Sequence, residues 1–254
     1  MVQCAHTDLR KTARACGLLL CMATLLNAGT GIADPGQYLQ KVKKALQQPW
    51  PANRTIHLVF HGHSVPAGYF KTPAVNTLEA YPYQVLKQVK ALYPHAVVNV
   101  ITTAIGGENA VNGEKRFESD VLNHKPDVLF IDYALNDVAA GLDRSRTAWE
   151  RMIQKALKRK IKIILMTPSP DQRVAILDST TGLARHAQQI RSLAEKYGIG
   201  LADSYARFQR QVAAGDSLSR YMSQVNHPNE AGHALIAEEI MKYLTPCETA
   251  LREY

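Results

Sequence analysis

Between Thr55 and Leu201 the chain alternates short apolar runs with longer amphipathic stretches. The runs, rich in Val, Ile, Leu and Phe, cover residues 56–60, 97–101, 128–132, 161–166 and, briefly, 199–202. Helical periodicity separates them over residues 83–92, 113–122, 147–158 and 183–197. Strands alternating with helices predict a parallel sheet with helices on both faces, an α/β fold. Two further helices are predicted over residues 203–213 and 230–244, the second with Pro228 and Asn229 at its start. In such a sheet the loops after the carboxyl ends of the strands share one edge, where ligands bind.

The first 33 residues read differently. Arg10, Lys11 and Arg14 precede an apolar stretch over residues 15–26, and Gly31-Ile32-Ala33 offers small residues for cleavage. This is the pattern of a secretory signal peptide. The apolar stretch is shorter than the ~20 residues needed to span a bilayer, and Leu20 stands where a lipoprotein would carry a small residue before Cys21. The expected organisation is a signal peptide over residues 1–33 and a single domain over residues 34–254, periplasmic or secreted. Cys4, Cys16 and Cys21 fall in the leader and leave Cys247 alone, so no internal disulfide is expected. A chain of 254 residues, 46% hydrophobic and 20% charged, has enough apolar surface for a full core. The formal charge of +8 falls by two once Asp8, Arg10, Lys11 and Arg14 are set aside, and the remaining excess is spread over helix faces such as residues 155–160. No basic stripe interleaved with aromatics is evident, so neither a nucleic-acid partner nor stable membrane insertion is expected. Oligomeric state is not legible.

Four short motifs carry the chemistry. Gly62-His63-Ser64 follows the first run, Gly106-Gly107-Glu108 the second and Ala134-Leu135-Asn136-Asp137 the third, while Asn226-His227-Pro228-Asn229 lies near the end. The topology brings the first three to one sheet edge. A serine hydroxyl is a poor nucleophile until a base takes its proton, and His227, held in extended backbone by Pro228, is the candidate base. Gly107 can present its N–H and Asn136 its side-chain amide to an oxygen that gains charge, with the Ser64 N–H as a third donor. Taken singly, each motif also reads as a turn or cap residue; their coincidence at one edge points to acyl transfer.

These motifs resemble those of the SGNH hydrolases, the GDSL esterase and lipase superfamily, over about residues 55–244. The run from His227 to His233, His-Pro-Asn-x-x-Gly-His, is similar to the end of the family's last block. The resemblance implies a three-layer α/β/α sandwich with a five-stranded parallel sheet, the flavodoxin-like SGNH fold. It also implies Ser64 as nucleophile, Gly107 and Asn136 as oxyanion donors and His227 as base. Two positions depart from the family pattern: His63 replaces an aspartate, and Gln224 stands where an aspartate would orient the histidine. Gln224, a main-chain carbonyl, or a carboxylate from Asp203, Asp137 or Asp132 is left to accept the Nδ1–H, with Gln224 and Asp203 the first candidates.

His63, Glu108 and Asn109 are expected to contact substrate. His57, His61 and His63 form an H-x-H pattern without the further ligand a metal needs, so no metal and no cofactor is expected, and His61 is a candidate for lining the site. Tyr69, Phe70, Tyr81 and Tyr83 are placed either to stack on sugars or in the core. The expectation is an exported serine ester hydrolase working through an acyl-serine intermediate and removing small acyl groups, such as acetyl, from carbohydrate. A lysophospholipase or thioesterase, and a non-catalytic carbohydrate-binding protein on the same fold, remain open alternatives.

Overall fold

The computed structural model describes Met1 and residues 31–246. The leader pattern up to residue 30 and Cys247 lie outside the described residues. Five strands, β1 Thr55–Gly62, β2 Val97–Thr102, β3 Val128–Asp132, β4 Lys162–Met166 and β5 Gly200–Ala202, form a parallel sheet in the order β2-β1-β3-β4-β5. The helices are α1 Pro35–Tyr38, α2 Gln40–Leu46, α3 Ser64–Ala67, α4 Tyr81–Leu92, α5 Ala110–Asp120, α6 Ala134–Asp137, α7 Leu142–Lys158, α8 Gly182–Tyr197, α9 Ser204–Ala213 and α10 Glu230–Leu244. A separate antiparallel pair, β6 Met222–Gln224 and β7 His227–Pro228, precedes α10.

The side chains of the central strands divide strictly by parity. Leu58, Phe60, Val128, Phe130, Ile164 and Met166 point to one face, where they meet α2, α4 and α10. Val59, Leu129, Ile131, Ile163 and Leu165 point to the other, against α5, α7 and the second half of α8. Both faces are therefore core, which is why residues 58–60, 128–131 and 163–166 read as uninterrupted apolar stretches. The three-layer α/β/α architecture is the one expected.

The boundaries shift where local chemistry decides them. Helix α4 begins two residues earlier than periodicity predicts, with Pro82 in its first turn, where the missing N–H costs nothing. Helix α5 begins at Ala110 because the Asn109 side chain caps it. Helix α7 begins at Leu142, just after Gly141 at φ +83°. The helices α1 and α2 ahead of the sheet have no counterpart in the sequence reading. Among the described residues no helix is long and apolar enough to cross a membrane.

Candidate active site

Ser64 is the first residue of α3, just beyond β1, so its N–H has no intrahelical acceptor. The turn is tight: a Cβ on Gly62 would lie 2.5 Å from the Asp132 carbonyl oxygen and 2.8 Å from Pro66 Cγ, so only glycine fits. Ser64 Oγ lies 2.9 Å from His227 Nε2, and both residues are 7% exposed. His227 Nδ1 lies 3.0 Å from the carbonyl oxygen of Phe70, so the neutral ring donates there and leaves Nε2 as acceptor for the serine proton. Burial lowers the His227 pKa; the Phe70 carbonyl opposes this, and nearby His63 adds to it. The imidazole is thereby kept in its basic, neutral form.

The orienting acceptor is therefore neither Gln224 nor Asp203. Gln224 Oε1 accepts from the Thr72 N–H at 2.8 Å, which ties β6 to the segment carrying Phe70. Asp203 caps α9 through the Ala206 N–H and pairs with Arg191 at 2.7 Å, so its oxygens are engaged beyond β5. Of the other carboxylates, Asp137 accepts from the Ala110 N–H at 2.8 Å and Trp149 Nε1 at 2.7 Å. Its burial raises the pKa to about 6 against the pull of those two donors. Asp132 accepts from Tyr81 Oη at 3.0 Å and faces His63 Nε2 at 3.4 Å.

The oxyanion candidates come from the neighbouring loops. Gly107 is exposed in a turn at φ +78°, a conformation L side chains avoid, and a Cβ there would meet nothing within 4 Å. Its backbone angle, not its space, demands glycine. Half-buried Asn136 donates one Nδ2–H to the Glu108 carbonyl oxygen at 2.9 Å, which leaves the second hydrogen for a ligand. The two loops are thus joined directly, and Asp137 joins them again through Ala110.

Three residues expected to touch substrate serve other ends. His63 is fully buried, with Nδ1 accepting from the Val65 N–H at 3.2 Å, so it braces the nucleophile turn. The Glu108 side chain turns inward to Arg116, whose Nε lies 2.9 Å away, and to Tyr133 Oη at 2.8 Å. Asn109 Oδ1 is spent on the Asn112 N–H at 3.2 Å. His61 is likewise core, bonded to Thr103 Oγ1 at 2.8 Å, and burial and the Arg116 charge lower its pKa to about 3. His57 Nδ1 pairs with the His124 carbonyl oxygen at 2.8 Å, and among the described residues no three ligating side chains cluster for a metal. Of the four aromatics, Tyr81 and Phe70 are buried, whereas half-buried Tyr69 lies between Gly106 and His227, its ring centroid 6.0 Å from the imidazole.

Sequence reasoning left two participants unnamed. A main-chain carbonyl was among the acceptors it allowed for His227, but nothing in a side-chain pattern marks Phe70 as its source. His233, fully buried, accepts from the Tyr81 N–H at 3.1 Å and stacks on the Phe70 ring at 5.0 Å, which fixes the residue whose carbonyl holds His227.

A profile of the GDSL-like Lipase/Acylhydrolase family matches residues 60–235, and so spans all four motifs. The acetylxylan esterase of Geobacillus stearothermophilus is 23% identical over 193 residues, 71% of this chain and 87% of that protein. Its crystal structure superposes with a TM-score of 0.64 at 22% identity, covering 74% of this chain and 94% of that one. A two-domain esterase active on acetylated mannans superposes with a TM-score of 0.67 at 25% identity over 85% of this chain; the match spans 54% of that larger protein. The chain belongs to the GDSL-like lipase/acylhydrolase family of the SGNH hydrolases, and it is a carboxylic ester hydrolase.

Proposed function

We propose that the protein is an exported serine esterase that removes acetyl or similarly small acyl groups from carbohydrate. The observation that carries the mechanism is the contact of 2.9 Å between Ser64 Oγ and His227 Nε2, with Nδ1 anchored on the Phe70 carbonyl. Ser64 Oγ attacks the ester carbonyl while its proton passes to Nε2. The developing oxyanion is held by the Ser64 N–H, the Gly107 N–H and the free Nδ2–H of Asn136. Nε2–H then protonates the leaving sugar hydroxyl as the carbon–oxygen bond breaks, leaving acyl-Ser64. Water, deprotonated by the same nitrogen, attacks the acyl group, and return of the proton to Oγ releases the acid. Among the described residues the partner of His227 Nδ1 is the Phe70 carbonyl and not a carboxylate, so the imidazolium is stabilised by that carbonyl dipole, a Ser-His dyad.

Two relatives, one named for acetylxylan and one active on acetylated mannans, support a carbohydrate ester as substrate. The leader pattern supports export. The test is labelling by a fluorophosphonate together with hydrolysis of p-nitrophenyl acetate. Both should vanish in Ser64→Ala with the thermal midpoint nearly unchanged, and turnover retained at a tenth of wild type would remove Ser64 as nucleophile.

A further inference from the structure

Asn136 also lies on the rim of a cleft of ≈ 400 Å³ between the loops after β3 and β4 and the first turn of α8. We propose that this cleft is the subsite for the sugar that bears the ester, and that it takes an uncharged glycosyl ring. The inference rests on the esterase reading above. The cleft falls in the ~300–1,000 Å³ range of small-molecule sites, far more than an acetyl group needs. Asn136, a proposed oxyanion donor, is among the residues that line it, and this shared residue is what ties the cleft to the reacting carbonyl.

The lining selects the chemistry. Leu135, Val174 and Leu183 supply an apolar wall, suited to the C–H face of a sugar ring. The polar edge is Asp171 with Arg173, whose Nε lies 2.9 Å from Oδ1 and 3.2 Å from Oδ2. The Asp171 side chain is 11% exposed, while Arg173 stands 70% exposed at the mouth. The pair is neutral as a unit, and the guanidinium lowers the Asp171 pKa against the opposing effect of burial. A phosphate or carboxylate would meet Asp171 as well as Arg173, whereas a hydroxyl, donor and acceptor at once, can bond to both. A long acyl chain would desolvate the pair and return no hydrogen bond. The wall is also fixed relative to the base, because the Gln172 N–H donates to the Val225 carbonyl oxygen at 2.8 Å, two residues before His227.

The experiment uses Arg173→Ala, a change at an exposed position, and Ala139→Trp, which fills the cleft from its rim. Each is assayed on acetylated manno-oligosaccharides and on p-nitrophenyl acetate, which has no sugar. The ratio of kcat/KM for oligosaccharide to that for p-nitrophenyl acetate should fall about tenfold in both variants, through KM in Arg173→Ala. Carried on a Ser64→Ala background, the same changes should weaken oligosaccharide binding by calorimetry about as much. An unchanged ratio and unchanged binding would overturn the subsite. With p-nitrophenyl octanoate assayed beside them, a loss confined to that long-chain ester would overturn it too and make the cleft an acyl-chain pocket. Failure of wild type on every ester, with oligosaccharide binding still sensitive to Arg173, would instead sink the esterase reading and leave the sugar site standing.

Discussion

Removing the Arg116 guanidinium should damage stability and catalysis together, although Arg116 is not proposed to touch substrate. Its Nε lies 2.9 and 3.0 Å from the two Glu108 carboxylate oxygens, its Nη1 3.1 Å from Asp120 and its Nη2 3.1 Å from Tyr133 Oη. The Glu108 side chain is 9% exposed, so losing its cation leaves a nearly buried carboxylate that still accepts from Tyr133 Oη at 2.8 Å. Breaking a fully buried pair from one side costs ~3–5 kcal/mol; with the Arg116 side chain 16% exposed, ~2–4 kcal/mol is expected for Arg116→Met, which keeps the apolar stem. The catalytic consequence follows from the other end of Glu108, whose carbonyl oxygen holds the Asn136 amide at 2.9 Å.

A carboxylate seeking water would pull that carbonyl and loosen Asn136. Outright loss of an oxyanion donor costs ~10²–10³ in kcat, so a displaced one should cost ~10-fold to 10²-fold, with KM changing less. Glu108→Gln, which keeps an acceptor for Arg116, should be milder on both counts. Urea midpoints give the stability, and p-nitrophenyl acetate kinetics well below the unfolding range give kcat and KM. If Arg116→Met loses the expected stability but keeps wild-type kcat, the ion cluster supports α5 alone and the link from Glu108 to Asn136 transmits nothing. Wild-type stability would mean that Glu108 finds water without strain.

Asn136→Ala should lower kcat by ~10²-fold or more with a smaller change in KM; a loss confined to KM would mark ground-state binding instead. The base must be neutral to act, and His227 titrates below its usual 6.5 because of burial, so the acidic limb of kcat/KM should have its midpoint below pH 6.5. A midpoint above 6.5 would reveal an anion beside the imidazole. Gln224→Ala should leave that limb in place while lowering kcat about threefold to tenfold, since it frees the Thr72 N–H and with it the Phe70 segment; a shifted limb would return Gln224 to direct contact with the ring. Gly62→Ala should cost ~1–3 kcal/mol, because its Cβ would press on the Asp132 backbone, and a thermal scan with an unmoved midpoint would refute that packing.

The sheet was readable because a strand covered on both faces is apolar on both, as the uninterrupted stretches at residues 58–60 and 128–131 are. Helix α2 escaped notice because seven residues carrying four lysines and glutamines show only Val42 and Leu46 as a stripe. Ser64, Gly107, Asn136 and His227 could be named as candidates because loop positions fixed by the strands carry residues with distinct chemistry, and the structure brings Ser64 and His227 into contact. Glu108, Asn109 and His63 were misplaced for one shared reason: polarity beside a motif suggests exposure, while Arg116, a helix N-terminus and the Val65 N–H were waiting to satisfy them. A main-chain acceptor was among the open choices, but Phe70 could not be singled out, since every residue has a carbonyl and only tertiary placement selects one.

The bond between Gln224 and Thr72 bears on how this protein can be altered by exchange with its relatives. The glutamine occupies the place of the family's aspartate, but its task is to secure the strand of chain whose backbone now does the aspartate's work. Residue 224 and the segment around Phe70 are therefore joined as one structural unit. A graft that brings in a relative's loop after α3 without its aspartate would leave the imidazole with no acceptor on either side. Restoring the aspartate without the loop would untie the carbonyl already in use. Only the exchange of both together keeps the base in register, so variation at these two distant stretches should travel as a pair.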